Sequence, residues 1–507
     1  MVAKTLGYGF MFLLPVLLVR RLSLHDFGIY KQVFLVVGTA VALLPLGFGM
    51  SAYYFLPRFD RQKQQVALNI VLFHMAIAVA VCAGLMLRPE LLGALFGDPV
   101  LTTYAPLIGL VVLLWIPSSC LEALALAHGE ARLAATLIVG LQLSKGILLW
   151  MAALWTGTVR GLVIAAVAHG AVQTGALLWY LSSRFPGYWR RFDLAMMRAQ
   201  LTYALPLGAA GLLYWFQIDL HKYLIANRFD AATFAIYAIG CFELPMLAIM
   251  NESVGSVLIP RMSELQKDGR RQDIVEIAAS AVRKLAVLYV PLFVLLMLTG
   301  RELIAVLFTP QLLAAWPIFA INIILIPFSI PTIACDAVIR AYAEHRFFLV
   351  RLRIVSTVLL IAGLWFALDA FGLLGAISVV VGVNLFERLM TTIKACRVLQ
   401  VTWADAPLLS DLAKVAGAAA LAGAAGYGAR AMMPDSGPAL VLAVSAVVLG
   451  ATYLGALLWM RVPTESERAQ VRSLVERLFT HRRPRGTVPR GVTLAMPAAA
   501  AHHPRED

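Results

Sequence analysis

Residues 21–30 read Arg-Leu-Ser-Leu-His-Asp-Phe-Gly-Ile-Tyr, and residues 228–237 read Arg-Phe-Asp-Ala-Ala-Thr-Phe-Ala-Ile-Tyr. Both fit one pattern, Arg-[Leu/Phe]-x4-Phe-[Gly/Ala]-Ile-Tyr, at an offset of 207. Three more matches follow in the same order. Leu56-Pro57-Arg58 pairs with Ile259-Pro260-Arg261, Glu90 to Phe96 with Glu302 to Phe308, and Ala127…Arg132 with Ala341…Arg346. Ordered matches with a drifting offset are the mark of an internal duplication, and a duplication sets the architecture.

The duplicated material is apolar. Of 507 residues 61% are hydrophobic and 14% charged, with a mean hydropathy of +0.82. A soluble fold of this size cannot hide that much apolar surface, and a disordered chain would be far more polar. Fourteen apolar runs of helical-span length can be drawn, at 3–19, 30–56, 66–87, 104–127, 133–155, 160–182, 201–225, 234–259, 284–300, 314–340, 347–368, 373–395, 412–432 and 438–460. Long apolar runs exclude the alternating pattern of an outer-membrane barrel. The two copies begin six runs apart, an even number, so both face the same way across the bilayer. The expected fold is an all-α polytopic membrane protein of about 14 transmembrane helices: two parallel-repeat six-helix lobes plus an appended helix pair. Its parts are an N-terminal lobe at 1–182, a cytoplasmic linker at 183–200, a C-terminal lobe at 201–397, the appended spans 13 and 14 at 398–460, and a tail at 461–507.

The net charge of +14 is an address and not a nucleic-acid signal. With the N-terminus placed inside, 32 of the 42 Lys and Arg fall on the cytoplasmic side and 7 outside, while Lys31, Lys145 and Lys222 lie within spans. That asymmetry is the positive-inside pattern, with both termini cytoplasmic. In the tail, Thr464 and Glu467 form a capping box ahead of a short amphipathic helix with Val471, Leu474, Val475 and Leu478 on one face, followed by a disordered basic end. The five cysteines sit in or beside apolar runs with no Cys-x-x-Cys spacing, as small buried hydrophobes do. No catalytic, cofactor or metal motif stands out, and no connector is long enough for a soluble catalytic domain.

Leu18-Val19-Arg20-Arg21-Leu22-Ser23-x-x-Asp26-Phe27-Gly28-Ile29-Tyr30 resembles the opening of the Wzx-type polysaccharide-biosynthesis or oligosaccharide flippases, in the multidrug/oligosaccharidyl-lipid/polysaccharide exporter superfamily. Tyr203-Ala204-Leu205-Pro206-Leu207, Gln217-Ile218-Asp219 and Phe234-Ala235-Ile236-Tyr237 look like the start of their second lobe, and Pro260 to Leu265 like the inner end of their span 8. The resemblance covers spans 1–12. It implies flipping of an isoprenyl-diphosphate-linked oligosaccharide from the inner to the outer leaflet of a bacterial inner membrane by alternating access. Membrane lipids, a glycan polymerase and a co-polymerase are the implied partners. It implies no enzyme chemistry and no cofactor. Leu220 follows Asp219 where many relatives carry Arg, and a cation returns only at Lys222. A cation-coupled multidrug or small-solute exporter of the same architecture is the alternative reading, and a membrane-embedded glycan polymerase or ligase a third.

An ionisable side chain inside a span is costly unless paired or wet, so each one is a candidate. Lys145, Lys222 and Lys31 are the head-group candidates. Lys145 either contacts a diphosphate or pairs with a carboxylate such as Glu122. Asp219 and Lys222, three residues apart, share a helix face and can form an ion pair, while His221 points elsewhere. Asp219, Glu243 and Glu252 are the candidates for proton or ion coupling; the two glutamates lie on opposite faces of span 8. Asp336 and Arg340 are expected to make an i,i+4 structural pair or gate. Glu387 and Arg388 read as structural, and His169 as a satisfied core histidine. Pro45-Leu46-Gly47-Phe48-Gly49, Pro245 and Pro327-Phe328-Ser329-Ile330-Pro331 are expected to break or bend their helices.

Overall fold

The computed structural model describes residues 13–190, 192–242 and 244–462. The Thr464–Glu467 cap, the tail helix, residues 3–12 of the first run and Glu243 lie outside the described residues. Among the described residues there are helices and turns and no strand. Spans keep the numbers of the apolar runs.

Ten helices are long and apolar enough to cross a membrane, or 12 if each of two bent pairs is one span. The bent pairs are Leu194–Pro206 with Gly211–Arg228 (span 7) and Ala231–Gly240 with Pro245–Lys267 (span 8). Spans 11 and 12 run together as one helix, Arg346–Val398, broken only at Gly372, whose φ of 56° and ψ of −134° suit no L side chain well. The expected count of about 14 differs from these figures at identifiable places, namely that merger and the first run.

The duplicated motif is a helix start. Ser23 caps Leu24–Leu43, its Oγ accepting from the Asp26 amide at 3.0 Å, and Asp230 caps Ala231–Gly240 by accepting from the Thr233 amide at 2.6 Å. These two capped helices are where the lobes meet. Gly28 lies so close to the second copy that a Cβ there would stand 1.8 Å from the Ala231 carbonyl oxygen. Spans 2 and 8 both break further along. Span 2 stops at Leu43, and Leu46 (φ 51°) and Gly47 (φ 67°) turn the chain before the short helix Ser51–Phe55. The turn lets span 7 approach, since a Cβ at Gly208 would meet the Leu46 carbonyl oxygen at 1.7 Å.

Helix begins again at Leu194, capped by the Asp193 carboxylate at 2.8 Å from the Ala195 amide, so the second half of the expected 183–200 linker is the first two turns of span 7. Those turns are tied to the N-terminal lobe. The Asn69 amide donates to the Gln200 side chain and to the Asp193 carbonyl, both at 3.1 Å.

The packing divides by depth. At the end of the bundle remote from the basic connectors, one core runs through both lobes, holding Leu18, Phe27, Val33, Ile225, Phe234 and Phe308. At the basic end there are two cores, one around Phe55, Leu124 and Tyr180 that also takes in Met196 and Ala204 from the start of span 7, the other around Met262, Ile274 and Val338 of the C-terminal lobe. Spans 13 and 14 (Ser410–Ala431 and Pro438–Trp459) pack on each other and on span 9, Arg271–Leu307. Arg430 holds Glu302 at 2.7 Å, and the Tyr453 hydroxyl donates to the Val287 carbonyl at 2.7 Å. The appended pair thus braces the C-terminal lobe and not the seam between lobes.

Candidate functional site

Span 7 is the seam, and its polar residues face two ways. Gln217 and Asp219 are two positions apart, about 200° around a helix. Asp219 turns to the N-terminal lobe, where the Thr39 hydroxyl of span 2 donates to Oδ2 at 3.1 Å. Its Oδ1 receives Lys222 at 2.8 Å. Lys31, also on span 2, lies within electrostatic reach of Lys222 and stacks its ammonium over Phe27 and Tyr30, 5.4 and 5.9 Å from the ring centroids. Two lysines against one carboxylate leave this seam with one net positive charge. His221 turns away and bonds the Tyr237 hydroxyl at 2.7 Å.

Gln217 turns to the C-terminal lobe and donates to Glu387 Oε2 at 3.0 Å, while Arg353 takes Oε1 at 2.6 Å. Both carboxylate oxygens are therefore engaged, by spans 7 and 11. Arg388 donates to the Leu325 carbonyl at 2.7 Å and to the Ser329 hydroxyl, beside the break that separates Trp316–Ile323 from Leu325–Ala341. These residues read as peripheral in the sequence because they sit near the ends of apolar runs. Their partners are 34 to 170 residues away, which no local pattern reveals.

In the N-terminal lobe, Lys145 does not reach Glu122. Its ammonium lies over the Trp115 ring, 4.8 Å from the centroid, a cation–π contact. His169 is buried beside it, hydrogen-bonded to the Ser144 hydroxyl at 3.1 Å and edge-on to Trp115. Trp115 is itself fixed by donating to the Ala166 carbonyl at 3.0 Å. One turn along, a cavity of about 100 Å³ opens between spans 4, 5 and 6, lined by Ser118, Ser119, Glu122, Gln142 and Gln173 and by apolar residues such as Leu137 and Ile138.

The remaining candidates stand apart from the seam. Asp336 and Arg340 pair at 2.7 Å near the basic end of span 10. Glu252 on span 8 is engaged with a neighbour. Beside them is a nearly all-apolar cavity of about 420 Å³ between spans 9, 10, 12 and 13, lined by Val282, Pro331, Val338, Leu399 and Leu412 among others. Among the described residues no group of three or more His, Cys, Asp and Glu could hold a metal ion. The cysteines are free thiols.

Chemically, the arrangement offers lysines within the spans, a hinge-like pair of broken helices at the lobe boundary, and an apolar cavity alongside. A family model described as polysaccharide biosynthesis protein matches residues 17–317. Among curated proteins, the EPS I polysaccharide export inner membrane protein EpsE of Ralstonia nicotianae (strain ATCC BAA-1114 / GMI1000) is 25% identical over 274 residues. The EpsE of Ralstonia solanacearum is 24% identical over 273. Each match covers 51% of this chain and 60% of the relative, so the chain spans less than two thirds of their length. Among solved structures, the lipid II flippase MurJ in an inward closed conformation superposes with a TM-score of 0.66 at 12% identity, over 91% of this chain and 97% of MurJ. An inward-facing multidrug resistance MATE transporter gives 0.59 at 16% identity, over 78% and 94%. Both likenesses concern the fold.

Proposed function

The chain belongs to the polysaccharide biosynthesis protein family, and on that footing we propose that it flips an isoprenyl-diphosphate-linked oligosaccharide from the inner to the outer leaflet of a bacterial cytoplasmic membrane. The observation that carries this reading is the net-positive seam of Lys31, Lys222 and Asp219 at the lobe boundary. Lys31 and Lys222 lie about 10 Å in from the outer ends of spans 2 and 7, where a lysine costs less than the about 2.5–3.5 kcal/mol of the bilayer centre, and two of them against one carboxylate make sense against an anionic partner. Lys145 over Trp115, with no carboxylate partner among the described residues, adds a second cation from the N-terminal lobe.

The substrate is an amphiphile, and the protein offers both halves of a match. A sugar diphosphate cannot cross hydrocarbon unaided because its charges would have to shed their water. A polyprenyl chain can stay in lipid or lie along an apolar surface such as the 420 Å³ cavity of the C-terminal lobe. Positive-inside asymmetry supports a cytoplasmic basic end, with both termini on that side. Spans 8 to 12 have a core of their own at that end, apart from the N-terminal lobe, and a shared one at the other, which supports loading from the inner leaflet. A glycan polymerase and its co-polymerase would then act on the product outside. No step requires a bond to be made or broken by the protein.

The fold likeness to MATE proteins supports a cation-coupled exporter of drugs or small solutes equally well. The net-positive seam favours the anionic amphiphile. Deleting the gene and measuring lipid-linked sugars on each leaflet decides between them. Accumulation of the lipid-linked oligosaccharide on the inner leaflet is expected. Normal outer-leaflet glycan accompanied by drug sensitivity would overturn the flippase reading.

A further inference from the structure

Arg58, just past the basic end of span 2, is exposed and yet oriented from two sides. Its guanidinium carbon lies 3.9 Å from the centroid of the Tyr54 ring, and Nη1 donates to the Tyr54 carbonyl at 3.0 Å. Tyr203 of span 7 also lies on Tyr54, with ring centroids 4.6 Å apart and planes 28° from parallel. Both groups are too near Tyr54 to share one face of it, so guanidinium, Tyr54 and Tyr203 form a three-layer stack. The stack crosses the lobe boundary, since Tyr54 belongs to the short helix Ser51–Phe55 and Tyr203 to span 7. A buried contact one turn from each tyrosine brings them together: the Gln200 amide donates to the Ser51 hydroxyl at 3.2 Å. Phe55 stands edge-on to Tyr203 at 5.9 Å and closes one side.

The stack leaves the working edge of the arginine open. Among the described residues Arg58 has no ion pair, and its Nε and Nη2 make no hydrogen bond. The hydroxyls of Tyr54 and Tyr203, both exposed side chains, have no partner among the described residues either. Further cations stand on both sides of the boundary. The connector carries Arg61 and Lys63 against Asp60, and Arg198 is exposed on span 7 five residues before Tyr203. Arg58 follows the apolar run 30–56 by two residues, which sets it at head-group level and not in hydrocarbon. Tyr203 precedes Lys222 by 19 residues, at most about 28 Å along span 7, so this is a different place from the seam. A cation that served orientation alone would need neither ring beneath it.

We propose that the Arg58–Tyr54–Tyr203 stack is a docking site for the diphosphate of an isoprenyl-linked substrate, taken up from the inner leaflet before it reaches the seam. A guanidinium held by stacking presents two parallel N–H groups to two oxygens of one phosphate, which an ammonium cannot do. The Nε and Nη2 edge is the one free to do so, because Nη1 is spent on Tyr54. The two phenol hydroxyls supply donors for further phosphate oxygens or for the first sugar. A phospholipid's phosphodiester offers the same oxygens with a single charge. A diphosphate carries more, which suits the added cations Arg61 and Arg198. The choice of a diphosphate lipid rests on the flippase reading; the open arginine edge does not.

The test is a calorimetric titration of the purified full chain in phosphatidylcholine nanodiscs with farnesyl diphosphate and, separately, with dihexanoyl phosphatidylglycerol, both soluble enough to add from solution. Saturable binding of farnesyl diphosphate is expected. Its half-saturation should rise at least tenfold in Arg58→Lys, which keeps the charge and loses the fork. The same rise is expected in Tyr54→Leu, which keeps the arginine and loses its support. Arg58 is exposed, so Arg58→Lys should leave the Tm unchanged, and it carries the readout alone should Tyr54→Leu fail to fold. Unchanged half-saturation in Arg58→Lys would overturn the proposal, since charge alone would then suffice. So would phosphatidylglycerol binding as tightly as farnesyl diphosphate, the mark of an ordinary lipid anchor, or no saturable binding by the wild type. If the deletion strain accumulates lipid-linked oligosaccharide while Arg58→Lys binds normally, the flippase reading stands and this site falls.

Discussion

Asp219 accepts from both sides of the lobe boundary, Thr39 across it and Lys222 on its own helix. Removing the carboxylate leaves Lys222 and Lys31 facing each other without compensation. Breaking a buried pair by deleting one partner costs about 3–5 kcal/mol, less here because the Lys222 side chain is 29% exposed. Asp219→Ala is therefore expected to lower the Tm of the purified protein by several degrees. Lys222→Ala leaves Asp219 its hydroxyl partner and is expected to fold while losing flipping at least tenfold in proteoliposomes. Equal stability of the two variants would show that the lysines need no counter-charge. Lys145→Ala removes a cation with no carboxylate partner among the described residues, so transport should fall with little change in Tm. These residues were legible in the sequence because an ionisable side chain within an apolar run is conspicuous. Arg353 and Thr39 were not, and Glu387 was read only as structural, because a residue near a run's end looks interfacial and a threonine inside a span looks ordinary until its partner 180 residues away is in place.

At the level of elements, the repeated motif does two jobs that its letters only half disclose. A cap followed by Phe-[Gly/Ala]-Ile-Tyr reads as a helix start; that the two starts pack on each other emerges only in three dimensions. Asp230 supplies more than Ser23, since it is charged at a helix N-terminus. The hydrogen bonds from the Thr233 amide and hydroxyl hold its carboxyl below the ordinary carboxylate range. A lowered folded-state pKa contributes stability above the unfolded value, about 4, and loses it as pH falls through the lowered one. Asp230→Ala should thus cost about 1 kcal/mol near neutrality, and less as the pH drops below 4. Tm measured against pH in both proteins checks this, and a pH-independent difference would argue against the charge. Gly28 is the tighter constraint. A methyl group there meets backbone and not a flexible side chain, so Gly28→Ala must push span 2 off span 8. Greater labelling of a cysteine placed on span 8 beside Gly28 would report the gap.

For the whole molecule, the duplication in the sequence foretold two lobes of like orientation, and the apolar runs foretold where most helices lie. What it could not foretell is where the lobes are joined, because that depends on contacts between segments 130 to 290 residues apart. At the basic end span 7 is tied to the N-terminal lobe through Asn69 and Gln200; at the opposite end the joining contacts are of another kind. The Asn227 amide donates to the carbonyls of Leu95 and Ala94 at 3.0 and 3.2 Å, and Arg20 donates to the Val306 carbonyl at 2.8 Å. These bonds hold backbone to side chain across the boundary without burying charge against charge. They are worth about 0.5–1.5 kcal/mol each, or up to about 3 with a charged donor, a latch that a substrate's binding energy can open. Two conformations separated by a few kcal/mol are what alternating access requires. A cross-link at the latch should therefore stop the cycle and not the fold. In a background freed of the five native cysteines, Leu95→Cys with Asn227→Cys is expected to abolish flipping when bridged by a short thiol cross-linker and to regain it on cleavage of that linker. The same pair left unbridged should retain substantial activity, since each lost hydrogen bond is small. Transport that proceeds at full rate with the bridge intact would mean the lobes do not part at this end, and the cycle would have to run through some other movement of spans 7 and 8.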